Sequence, residues 1–404
     1  AQVRYDLKKN SITSQWSDHF KKTQIVNPLR QSFLGYEKRV VAVAEGTIRK
    51  ELPDQLVQKF LDLSRVHMSY PGPFGDPIVL DNLAVYFNQQ GLETTDQHLM
   101  ITNGASDGFS RVMKALLADQ IGSELITPGP FFSPQQAMIK RANSTAILKI
   151  SDSVLNNFRP DFDDIKSKIT PHTKSLILTS PHNPSGTVLS VNEFSSAIQL
   201  CQEYGLFLVV DGTYMDMSDV NCYTQLQLAL NQNNFVDIVV IGSNSKIFSP
   251  AIRSGWLWTP NQALRETVSH GITIDLAGVS TSSSAAMAVT LDHMDILMKD
   301  YEKVIPNRKL WLNCLEEMNI DPPSKIEAGL YMLLPTPSGI SGSKFSTYLF
   351  ETYDMNVVPL KSLSGEPSVD YPFIRVACVD QELTLMAIQR YKQAYEDLNS
   401  EPIV

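Results

Sequence analysis

Lys246 stands in the run Ser243-Asn-Ser245-Lys246-Ile-Phe248-Ser-Pro250-Ala-Ile-Arg253-Ser-Gly255-Trp256, just past an apolar stretch at residues 236–241. Such a stretch reads as a buried strand. A lysine at the end of a buried strand is partly desolvated. Desolvation disfavours the ammonium and frees the neutral amine as a nucleophile toward a carbonyl. Ser243 and Ser245 precede the lysine and Arg253 follows it by seven residues. Two hydroxyls and a guanidinium can hold a dianionic phosphate beside that amine. The plainer alternative is a surface Ser/Lys/Arg loop after a core strand.

Other chemistry-bearing residues also follow apolar runs. Asp211 ends the run at 206–210, with Tyr214 three residues on. A carboxylate at a buried strand end is costly unless it is paired; the alternative is an aspartate that caps a turn. Ser180-Pro-His182-Asn183-Pro184-Ser-Gly186-Thr follows the run at 175–179 and precedes a helix. Pro184 can hold a rigid or cis turn there, though Asn-Pro is also common in plain loops. His182 reads as a structural neighbour. Thr102-Asn-Gly104-Ala105-Ser106 follows residues 99–101 and opens a helix. Backbone N–H groups at a helix N-terminus bind phosphate, and Ser106 adds a hydroxyl; a simple N-cap is the alternative. Arg375 lies in the apolar segment Phe373-Ile-Arg375-Val-Ala. Its planar fork can take a carboxylate by two parallel hydrogen bonds, and that carboxylate is either a substrate's or a structural Asp or Glu.

Together these segments resemble the motifs of fold-type I pyridoxal phosphate (PLP) enzymes, the class I/II aminotransferase family, over about residues 40 to 390. The Asn-Pro-x-Gly match at Asn183 is complete. The spacings also fit, 28 residues from Asn183 to Asp211 and 35 from Asp211 to Lys246. Ala251 stands where the lysine motif usually has glycine, and Asp211-Gly212-Thr213-Tyr214 lacks the usual second acid. The seven-residue step from Lys246 to Arg253 is similar to a branch with aminoadipate-type transaminases and transcription regulators carrying a fused aminotransferase-like domain.

The resemblance implies a role for each position. Lys246 would hold PLP as a Schiff base and move the Cα proton. Asp211 would face the pyridine nitrogen, and Tyr214 and Asn183 the 3-oxygen. Gly104, Ala105, Ser106, Ser243, Ser245 and Arg253 would hold the phosphate. Phe132, favoured over Phe131 in Pro128-Gly-Pro130-Phe131-Phe132, would stack on the ring; two core phenylalanines are the alternative. Arg375, with Asn183, would bind the substrate α-carboxylate. Tyr70 would reach the phosphate of a neighbouring subunit, which implies a homodimer with shared sites. The family's Leu-Arg after that tyrosine is replaced here by Ile78-Val-Leu80-Asp.

The implied reaction moves an amino group between a free α-amino acid and a 2-oxo acid. A PLP-dependent lyase, decarboxylase or oxidase would use the same scaffold. A regulator that senses PLP without turnover would need a basic DNA-binding extension. The side-chain pocket is expected near Gly46-Thr-Ile-Arg49.

These residues need a frame that brings strand ends together. Four apolar runs, at 124–126, 175–179, 206–210 and 236–241, read as parallel strands covered on both faces. Between them lie helical patterns at about 106–118 and 191–204, the second opening after Ser190, a suitable N-cap. The expectation is an α/β fold of fold-type I: a large domain with a mostly parallel central sheet covered by helices, plus a smaller α+β domain. Sites should lie beyond the strands' carboxyl ends.

The expected boundaries are 1–50 for an N-terminal segment joining the small domain, 51–300 for the large PLP-binding domain and 301–404 for the small one. At 404 residues two domains are expected. The C-terminal third reads as one long helix over about 283–314, strands near 329–334 and 373–378, and a helix over 381–398. A net charge of −9 argues against nucleic acid as a partner. No run approaches the ~20 apolar residues of a membrane helix, and no signal peptide is visible. The four cysteines form no CxxC pair and the seven histidines no metal spacing. A cytoplasmic enzyme without metal is expected.

Overall fold

A computed structural model describes residues 40–44, 46, 48, 52–64, 70–118, 120–365 and 368–400. The strands among them are β1 (Val41–Ala42), β2 (Leu99–Thr102), β3 (Glu124–Gly129), β4 (Ile147–Asp152), β5 (Thr173–Thr179), β6 (Phe207–Asp211), β7 (Ile238–Ser243) and β8 (Gly255–Trp258), then β9 (Tyr331–Pro335), β10 (Met355–Asn356), β11 (Val358–Pro359) and β12 (Phe373–Ala377). Seven of them form a sheet ordered β2-β8-β7-β6-β5-β3-β4. β3 to β7 run parallel, and β8 alone in this sheet is reversed, pairing antiparallel with both β7 and β2.

Leu176–Leu178, Leu208–Val210 and Ile238–Ile241 are all buried, as strands covered on both faces must be. The covering helices follow local sequence logic. Helix Val191–Tyr204 starts at a capping box, in which Ser190 Oγ accepts the Glu193 N–H and the Glu193 carboxylate accepts the Ser190 N–H. It ends at Gly205, whose φ of 65° is left-handed.

A second apolar core gathers residues from both ends of the chain. Val41 and Val43 pack there with Trp311, Phe345, Met355, Val376 and Tyr391. β1 pairs with β10, Val41 opposite Met355. β9, β12 and β11 form an antiparallel sheet in the same lobe, with Arg375 opposite Leu333 on β9. The closing helix is Gln381–Ser400. A small third cluster, Phe158 with Leu333, Leu360 and Leu363, joins the large lobe to this one.

The expected single helix over 283–314 is instead four pieces: Thr281–Asp292, Met294–Leu297, Lys299–Glu302 and Val304–Glu317. His293, at φ −135° and ψ 28°, breaks the first turn pattern. Pro306 explains the last break. In a continuous helix its ring would clash with the Glu302 carbonyl. Restarting at Val304 places Pro306 in a first turn, where no intrahelical N–H bond is required.

Candidate active site

The sheet's carboxyl ends converge as expected. Asp211 is the last residue of β6, Lys246 comes three residues after β7, Asn183 four after β5 and Gly104 two after β2. β8 adds the link between the lysine loop and the helix that follows β2. Gly255 opens β8, and a Cβ there would lie 2.7 Å from Gly242 O, 2.8 Å from Gly104 C and 2.9 Å from Ala105 N. Only glycine lets the two backbones approach this closely.

Gly104 is constrained in the same way. Its φ is 87°, and a Cβ would lie 2.5 Å from Arg253 Nη2. The Arg253 guanidinium therefore lies against the start of helix Ala105–Leu117, whose first N–H groups precede any intrahelical bond. Arg253 Nη1 donates to Ser245 Oγ at 3.2 Å, and Ser243 Oγ accepts the Ser245 N–H at 3.0 Å. Ser283 Oγ, at the start of helix Thr281–Asp292, donates to the Arg253 carbonyl at 2.8 Å. The cup expected from Gly104, Ala105, Arg253, Ser243 and Ser245 is thus brought together. Ser106 stands on the first turn of its helix.

Asp211 accepts from neutral donors: Gln135 Nε2 at 2.8 Å on one oxygen, Thr213 N–H at 3.1 Å and Thr213 Oγ1 at 2.7 Å on the other. Burial raises its carboxyl above the ordinary aspartate value despite those bonds. The sequence assigns no role to Gln135 or Thr213: Thr213 is simply the next polar residue after Asp211, whereas Gln135 arrives from helix Pro134–Ala142 and has no local signal.

Lys246 Nζ donates to the Gly46 carbonyl at 3.0 Å. Arg375 is 8% exposed, and its fork is shared between two neutral oxygens, Asn183 Oδ1 at 2.9 Å and the Ala44 carbonyl at 2.8 Å. Its Nε is buried without a hydrogen-bond partner. Asn183 thereby uses its carbonyl and keeps its Nδ2 donors for another group. The expected pocket segment near Gly46 does reach the site through the Ala44 and Gly46 backbone. Arg49 lies outside the described residues.

Phe131 is buried and its N–H donates to the Leu363 carbonyl at 2.8 Å, whereas Phe132 is 37% exposed. Of the two rings, only Phe132 remains open to a ligand. His182 is structural: Nε2–H donates to the Pro130 carbonyl at 2.8 Å and Nδ1 accepts from Ser185 Oγ at 2.6 Å. Burial lowers its pKa to about 4, so the ring is neutral. Tyr70 is not brought to this site. It is 85% exposed.

The charges of the site do not balance among the described residues. Among the described residues no ion pair includes Asp211, Lys246, Arg253 or Arg375. A buried carboxylate without a cation and the buried Arg375 without an anion are expensive on their own, and Lys246 and Arg253 add two more cations beside them. A ligand with a protonatable ring nitrogen and a phosphate, together with a carboxylate-bearing substrate, would complement all four. The residues present therefore fit PLP. Among the described residues no group of acids, histidines and cysteines could hold a metal, and no helix is long and apolar enough to cross a membrane.

A family model described as "Aminotransferase class I and II" matches residues 38–390. The aspartate aminotransferase of Pyrococcus horikoshii is 25% identical over 358 residues, covering 85% of this chain and 86% of that one. Kynurenine–oxoglutarate transaminase 1 of Mus musculus is 23% identical, covering 88% of this chain and 92% of that one. In three dimensions the chain is similar to an aspartate aminotransferase of Thermotoga maritima, with a TM-score of 0.80, 19% identity, and coverage of 94% of this chain and 97% of that one.

Proposed function

The chain belongs to the class I and II aminotransferases, and from that premise we propose that Lys246 carries the PLP of this PLP-dependent family and Arg375 the carboxylate of a free α-amino acid. The chain is an aminotransferase, moving an amino group between an amino acid and a 2-oxo acid. The observation that carries the residue assignment is the charge imbalance at Asp211, Lys246, Arg253 and Arg375.

When bound, PLP supplies an electron-withdrawing ring that stabilises negative charge developing at the substrate Cα. The cup of Gly104, Ala105, Ser106, Ser243, Ser245 and Arg253 would hold the phosphate, and Asp211 the ring nitrogen. Asn183 Nδ2 and Tyr214 Oη would donate to the 3-oxygen. The Phe132 ring would cover one face. Lys246 Nζ would take the proton from Cα as general base, and so must be released as a neutral amine from the Gly46 carbonyl.

Arg375 gives the reading its test. Arg375→Ala removes a desolvated two-point contact to the α-carboxylate. kcat/KM for an amino acid should fall by about 2–5 kcal/mol, tens to thousands of fold. Cofactor binding should survive, because none of the phosphate donors is lost. An amine lacking the carboxylate is the control, and its already poor turnover should hardly change. Equal losses for amine and amino acid would make Arg375 structural.

Tyr70 carries the proposal of a homodimer. Its side chain is 85% exposed, which leaves it able to reach into a second copy's phosphate cup. Light scattering on the purified chain should return twice the 45.1 kDa chain mass. A monomer at micromolar concentration that is fully active would remove both the dimer and the role of Tyr70.

A further inference from the structure

Tyr331, on β9, stands among the residues given roles above and has none itself. Its ring face lies 3.9 Å from Arg375 Cζ. Its ring meets that of Tyr214 edge-on, 6.0 Å between centroids at 79°. Its hydroxyl accepts the Gly46 N–H at 3.1 Å, and the carbonyl of that same glycine accepts from Lys246. Both tyrosine side chains are buried.

The ring and the hydroxyl do separate work. An arginine that must receive a carboxylate cannot be held by an acid, which would occupy the fork. An aromatic face attracts the guanidinium without neutralising it. The hydroxyl has one proton to give and lone pairs to receive. Its oxygen accepts the Gly46 N–H and so ties down the segment whose carbonyl receives Lys246 Nζ.

We propose that Tyr331 is a positioning residue for transamination: its ring holds Arg375 for the substrate carboxylate, and its hydroxyl holds the Gly46 backbone beside Lys246. The proposal rests on the roles read above for Arg375 and Lys246. Burial raises the Tyr331 phenol, but the Lys246 and Arg375 cations, Tyr214 and the Gly46 N–H outweigh it and bring the phenol below its ordinary value.

Two variants separate the functions. Tyr331→Phe keeps the ring, and Tyr331→Leu removes ring and hydroxyl. Tyr86→Phe is the control, since Tyr86 is a phenol bonded to Asp216 away from this site. In the cofactor-free protein, phenolate absorbance should show one tyrosine ionising below about 10. That step should vanish in Tyr331→Phe and persist in Tyr86→Phe. In the PLP-loaded enzyme, the KM of Tyr331→Phe for the amino acid should stay within about twofold, because the ring remains. Tyr331→Leu should raise KM by roughly 3- to 30-fold through the loosened Arg375. An unchanged phenol titration in Tyr331→Phe together with an unchanged KM in Tyr331→Leu would overturn the proposal and leave Tyr331 a packing residue. A wild-type chain that forms no PLP adduct at Lys246 would instead overturn the functional reading beneath it.

Discussion

Lys246→Ala is expected to lose about 10²- to 10⁴-fold in turnover from the missing proton transfer alone, and more from the loss of covalent capture. The Lys246 amine lies at the end of a buried strand with a neutral carbonyl as its hydrogen-bond partner. Lys246→Arg sharpens the test. It retains a cation that can reach the Gly46 carbonyl, but a guanidinium stays protonated and cannot act as a base. It should therefore be as inactive as alanine. A small primary amine in the buffer should restore part of the activity to the alanine variant and none to the arginine variant. Borohydride reduction of the wild type should fix PLP on the peptide containing Lys246. An adduct on another lysine, or an arginine variant that turns over normally, would sink the assignment.

Much of this site was legible because its residues sit directly after apolar strands. Runs such as 236–241 announce themselves by composition, and the residue that follows inherits a place at a sheet end. Asp211, Lys246, Asn183 and Gly104 were found in this way, and all four lie at carboxyl ends of the same sheet. The strands missed were those whose pattern is weak. β4 carries Lys149, Ser151 and Asp152, and β8 is four residues hidden behind the lysine loop. Missing β8 concealed why Gly255 must be glycine.

The site's supporting residues were illegible for a different reason. Gln135, Tyr331 and the Ala44 and Gly46 carbonyls reach their partners from 44 to 331 positions away in sequence. No local spacing encodes such contacts. The broken helix at 281–317 fails in the opposite direction. Its apolar positions keep a helical period across the breaks, so the pattern conceals what Pro306 and His293 impose on the backbone.

Asp211→Asn should separate function from stability. At neutral pH a carboxylate buried among neutral donors costs folding energy. The folded chain binds a proton on Asp211 more readily than the unfolded one, because burial raises its carboxyl. Stability from this group is therefore full below the ordinary value of about 3.9 and is lost as pH rises through the raised one. Asparagine carries no such cost. Its Oδ1 can keep both bonds from Thr213, and Gln135 can turn its amide to offer an oxygen to the new NH₂. The cofactor-free variant should accordingly melt above the wild type at pH 7, with the gap closing as pH falls toward 4. Saturating PLP should reverse the order, since only the wild type gains an ion pair with the ring nitrogen, and ligand binding stabilises in proportion to affinity. Breaking a buried pair of this kind costs about 3–5 kcal/mol, so Cα–H exchange should slow by roughly 10²- to 10³-fold or more. Near-normal exchange in the variant, or a cofactor-free wild type that is the more stable of the two at pH 7, would show that the Asp211 carboxylate is built for the fold and not for the ring.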